Sequence, residues 1–124
     1  MDQPQKSSPE PVWNLPELLT RIDNDQELLR ELLIIFKKDF PSHVCSLTEA
    51  IATGNLRNVT ALSHTLKGMF ANLAANRAAA AAACLEQTAR AGESATLKQT
   101  YENLNAEIAN LLSEVEAHMA EVRR

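Results

Sequence analysis

The sequence predicts an all-α protein, an antiparallel up-down-up-down four-helix bundle with a short extra N-terminal helix. Apolar residues fill 45% of its 124 positions but aromatics only 4%. That balance suits a core of Leu, Ile and Ala, and disfavours a sheet rich in β-branched and aromatic side chains. Apolar side chains recur at steps of three and four over most of the chain, the period of amphipathic helices. The joints between periodic segments are short, which makes successive helices antiparallel neighbours. The length allows one core, not two.

Residues 1–11 (MDQPQKSSPEP) are polar, Pro-rich and without period, the composition of a disordered linker or tail; the bundle domain is expected over 12–124. A first short helix is expected from Leu15 to Arg21, capped by Asn14, with Pro16 in its first turn and Glu17 where a capping box places its carboxylate. Trp13 reads as core filler. Asp23, Asn24 and Asp25 offer caps for a long helix from about Asp25 to Thr53, with Leu29, Leu32, Leu33, Phe36, Phe40, Val44, Leu47 and Ile51 inward. Pro41 inside it predicts a kink rather than a break. The run Leu32-Leu33-Ile34-Ile35-Phe36 cannot all face one core, so Ile34 and Ile35 should meet either the first helix or a partner protein.

Gly54 ends that helix, and the next spans about Asn55 to Asn72. A fourth segment, Arg77–Ala91, contains six successive alanines, which favour helix and permit close approach of a neighbour. Gly92 terminates it and Ser94 is a candidate cap for the last helix, about Ala95 to Val122. The seam there is regular: Leu97, Tyr101, Leu104, Ile108, Leu111, Val115, Met119 and Val122.

Several function classes lack their signatures. The net charge of −4 argues against a nucleic-acid binder that neutralises phosphates. There is no phosphate-cradling Gly-rich loop, no dinucleotide fingerprint and no HExxH. Glu114 and His118 lie four apart but have no second ligand pair, so no metal is expected. Cys45 and Cys84 show no metal spacing and suit a reduced, cytoplasmic setting. No apolar run approaches the twenty residues of a membrane span.

One stretch is chemically unusual: Ser63-His64-Thr65-Leu66-Lys67-Gly68. The apolar stripe of its helix, through Leu56, Val59, Leu62, Leu66, Met69, Phe70 and Leu73, points roughly 170° away from His64, at about 100° per residue. Around His64 lie Arg57, Thr60, Ala61, Lys67, Gly68, Ala71 and Ala75, where an ordinary solvent face would carry long charged side chains. The face is cleared for another surface to lie flat on it. A neutral imidazole, with an ordinary pKa of about 6.5, is a competent nitrogen nucleophile near neutral pH. A phosphoryl group on it would carry close to two negative charges, within reach of Lys67 one turn on. Gly68 removes bulk where that group must pass, at about 1 kcal/mol of helix stability relative to Ala. Such broken local rules concentrate at functional sites.

That stretch resembles the HxLKG signature of histidine-containing phosphotransfer (HPt) domains, the phosphoryl relays of two-component signalling. The likeness runs from about Trp13 to the C-terminus and includes Asp25-Gln26-Glu27-Leu28-Leu29-Arg30-Glu31-Leu32-Leu33, Pro41 after Phe40, and Gly54-Asn55-Leu56. It implies the same antiparallel bundle, with His64 phosphorylated, Lys67 stabilising the phosphate and Gly68 leaving room for a receiver domain. Arg57, Thr60, Ala61, Ala71, Ala75, Ile34 and Ile35 would form the docking surface. It further implies a monomeric carrier rather than an enzyme, without nucleic-acid or membrane contact and without its own cofactor. Mg²⁺ is expected in the partner receiver. The parent chain would be a hybrid sensor kinase with this module at its C-terminal end. Family members often have Gly where Ala71 and Ala74 stand, so the turn after the histidine helix is expected to differ. The competing reading is a non-catalytic interaction module using the same bare face.

Overall fold

A computed structural model describes residues 10–122, with side chains to Glu121. Most of the expected tail, residues 1–9, lies outside the described residues. Five helices follow in order: α1 Leu15–Arg21, α2 Gln26–Thr53, α3 Leu56–Asn72, α4 Asn76–Arg90 and α5 Ser94–Val122. There is no strand among the described residues. Each long helix packs on the next, α3 on α4 most extensively, and α5 returns to α2 to close the bundle.

The caps explain the boundaries. Asn14 Oδ1 accepts from the Glu17 amide at 3.1 Å, Asp25 Oδ1 from Leu28 at 3.0 Å, and Asn55 Oδ1 from Asn58 at 3.2 Å. The capping box expected at Glu17 does not close. Its carboxylate takes Arg21 at 2.7 Å and Asn76 at 3.2 Å, while the Asn14 amide donates to the carbonyl of Ala74 at 3.0 Å. Helix α1 is thus tied to the α3–α4 turn rather than to itself. Trp13 reinforces this: it is buried, donates Nε1–H to the Leu73 carbonyl at 2.9 Å and meets His118 edge-on at 5.7 Å.

Helix α2 runs unbroken across Pro41 to Gly54, whose φ of +69° ends it in the left-handed cap that Gly adopts without strain. Its buried face is Leu29, Leu33, Phe36, Phe40, Leu47 and Ala50, with Leu32, Val44 and Ile51 half-buried at the margins. Phe36 stacks on Phe40 and meets Phe70 of α3 edge-on. Leu97, Leu104, Ile108, Leu111 and Val115 of α5 complete the core. The seam residue Val122 is beyond the described side chains. Ile34 and Ile35 remain 45% and 56% exposed. Of the two expected covers, α1 is therefore ruled out.

The turn after α3 departs from simple helical continuation. Helix α3 stops at Asn72, and Ala74 adopts φ +61° while fully buried. An L-residue there costs about 1–2 kcal/mol, offset by the burial of Leu73, Ala74 and Ala75 and by the bonds that α1 makes to this turn. Ala75 is consequently buried, not on the docking face as the sequence suggested. The 100° rotation per residue places it there only if α3 continues, and α3 does not.

Candidate functional site

Helix α3 holds its core face through Val59, Ser63, Leu66 and Phe70. That anchorage turns His64 outward, and its side chain is 66% exposed. The histidine is not free on that face. Its Nδ1 lies 3.0 Å from Oε2 of Glu86, which comes from α4. Glu86 also receives Lys67 Nζ on Oε1 at 3.1 Å and Arg90 Nη2 on Oε2 at 3.0 Å. One carboxylate, with a side chain only 5% exposed, thus gathers an imidazole and two cations.

The reason lies in α4. Ala78, Ala82, Leu85 and Ala89 form its buried stripe, and Glu86 sits inside that stripe, one turn after Ala82. The alanines let α4 approach α3 closely, so the Glu86 arm passes between the helices to reach His64 and Lys67. A buried carboxylate is tolerated only when its charge is paired and its lone pairs are used, and here three donors do so. Burial pushes the Glu86 carboxyl up, but hydrogen bonds and charge from Lys67 and His64 overcome this and hold it below the ordinary carboxylate range. Glu86 is therefore the anion of the site.

An ionised carboxylate only accepts hydrogen bonds. Its contact with Nδ1 therefore places the ring proton on Nδ1 and leaves the lone pair on Nε2. The site can thus present one unprotonated ring nitrogen, with Lys67 a turn away. An ideal Cβ built on Gly68 meets no atom within 4 Å, so the space beyond it is open.

The other expected residues divide. Arg57, Ala61 and Ala71 are exposed on the α3 surface. Thr60 is half-buried, and its hydroxyl donates to the Leu56 carbonyl at 2.9 Å. Ile34 and Ile35 lie exposed on α2 and take no part in the cluster around Glu86. The sequence reading missed Glu86 and Arg90, together with Arg21, whose Nη1 donates to the Ala71 carbonyl at the end of the α3 face at 2.9 Å. A signal for Glu86 existed: a carboxylate at core spacing in an otherwise apolar stripe. Cys45 and Cys84 are exposed free thiols. Among the described residues no group of three or more His, Cys, Asp or Glu side chains is arranged to hold a metal, and no helix is long and apolar enough to cross a membrane.

Residues 31–118 match the family model described as the Hpt domain. No curated protein and no solved structure matches the chain significantly.

Proposed function

We propose, because this chain belongs to the Hpt domain family, that His64 carries a phosphoryl group between the receiver domains of a phosphorelay. Hpt domains are phosphotransfer modules of two-component systems and engage receiver domains. The observation that carries the assignment to His64 is its ring, exposed on the face cleared around it, with Nδ1 occupied by Glu86 and no partner on Nε2 among the described residues.

In this reading the receiver brings an aspartyl phosphate and its Mg²⁺ onto the α3 face. The Nε2 lone pair attacks phosphorus in line as the bond from phosphorus to the aspartyl oxygen breaks and its electron pair returns to the carboxylate. Lys67 turns from Glu86 towards the phosphoryl oxygens, and Gly68 admits the receiver loop. Reversal of the same steps hands the group to a second receiver. Positioning and charge stabilisation do most of the work in such transfers, and the acidic, metal-bearing pocket belongs to the receiver. This chain contributes nucleophile, cation and shape, and acts as a carrier in the cytoplasm rather than as an enzyme.

Incubation with a phosphorylated receiver tests the assignment. Acid-labile, alkali-stable label is expected on the wild type and none on His64→Gln. Stable binding of the receiver without label would instead favour an interaction module.

A further inference from the structure

The carboxylate of Glu86 touches the ring nitrogen that does not react, and this bears on the phosphorylated state. When Nε2 forms its bond to phosphorus, the proton on Nδ1 stays and the ring becomes an imidazolium. If that proton remains, reversal returns the electron pair of the P–N bond to Nε2 and releases a neutral imidazole. If it has been lost, the group leaving phosphorus is an imidazolate, a far poorer leaving group. The protonation of Nδ1 after transfer therefore decides how readily His64 gives the phosphoryl group up.

We propose that Glu86 is a positioning residue whose negative charge keeps Nδ1 of phospho-His64 protonated, holding it in the form that donates. The proposal rests on the reading of His64 as a phosphoryl carrier. Its basis is geometric. Glu86 Oε2 is 3.0 Å from Nδ1 on an almost fully buried side chain, where water screens little. An anion in direct contact favours the protonated ring, in the way a buried aspartate stabilises the imidazolium of a catalytic triad. The charged groups in the cluster around the ring are Lys67 on α3 and Glu86 and Arg90 on α4. The two cations bind Glu86 and temper it. Lys67 is drawn off Glu86 by the arriving phosphoryl oxygens, which strengthens the carboxylate's hold on Nδ1 at the moment the ring becomes positive.

Glu86→Gln removes the charge at nearly unchanged volume and keeps an amide oxygen to accept from Nδ1, while its –NH2 replaces the oxygen that Lys67 meets and so releases that cation. The test takes the full 124-residue chain, ¹⁵N-labelled, and phosphorylates it with phosphoramidate, which needs no receiver. Titration of Nδ1 in phospho-His64 is followed by NMR, beside the pH profile of phosphoryl loss. We expect the Nδ1 titration to fall by about one pH unit in Glu86→Gln, and the onset of rapid phosphoryl loss to move down in pH with it. Arg90→Ala, which removes a counter-charge from Glu86, should shift both in the opposite direction and covers the case that Glu86→Gln does not fold. Identical Nδ1 titrations in the wild type and Glu86→Gln would overturn the proposal, as would a downward shift in Arg90→Ala. Phosphorylation at Nδ1 instead of Nε2, which the same spectra distinguish, would overturn it too, since Glu86 would then not occupy Nδ1. Failure of every phospho-receiver to label a chain whose Nδ1 titrates as expected would defeat the carrier reading alone.

Discussion

Replacing Gly68 should make the protein more stable and the relay slower. The two signs are opposite because the two effects have separate causes. Gly68 lies inside α3, four residues before its end at Asn72, with right-handed backbone and nothing within 4 Å of an added Cβ. Its missing methyl therefore relieves no clash. Ala at an exposed helix interior is favoured over Gly by about 0.8–1.0 kcal/mol. For a folded region of this size that corresponds to a rise in Tm of roughly 4 °C, at ~2.1 cal/mol/K of unfolding entropy per residue. Gly68→Gln gains nearly as much, as Gln is also a good helix former. Function should move the other way. One turn beyond His64 a methyl narrows the approach, and a Gln side chain blocks it. Transfer from a phospho-receiver should fall several-fold in Gly68→Ala and far more in Gly68→Gln, whereas phosphoramidate, a small donor, should be slowed much less. Thermal unfolding by circular dichroism and label transfer at matched concentrations read the two effects. A lower Tm in Gly68→Ala would show that the glycine answers a packing need. Undiminished receiver transfer in Gly68→Gln would show that the docking partner does not pass over this face.

Three further outcomes are expected. His64→Gln should lose all phosphoryl acceptance yet shift stability by less than about 1 kcal/mol, because the side chain is largely exposed; urea titration checks this. Lys67→Ala should slow receiver transfer and alter the lifetime of phospho-His64, measured by label decay, while leaving the helical signal intact. Glu86 gives the pH dependence. Its folded-state pKa is lowered, so the unfolded chain binds more protons across that window. The stability it contributes is complete above the unfolded carboxylate range and is lost as pH falls through the folded pKa. Urea midpoints measured from pH 7 downwards should therefore drop less steeply on the acid limb in Glu86→Gln than in the wild type, and parallel curves would refute this.

What the chain alone determined is local. The apolar period of three and four, the caps Asn14, Asp25 and Asn55, and the terminator Gly54 fixed the helices to within a residue or so of where they lie. The outward direction of His64 and the clearance beside Gly68 follow from the same period, since both residues sit on one helix whose inward stripe anchors it. Tertiary structure decided the rest. Glu86 is 22 residues from His64, and their meeting depends on the rotation and register of α4 against α3. The buried stripe Ala78, Ala82, Leu85 and Ala89, on the helix that packs most extensively on α3, sets that register, and no intrahelical spacing encodes it. Ala75 was misplaced for a related reason, because a left-handed residue at Ala74 ends the rotation on which its position was reckoned. Periodicity reports which face of a helix looks inward. Which side chains of two faces touch is settled only when the helices pack, and that is how a buried anion came to stand behind the exposed imidazole.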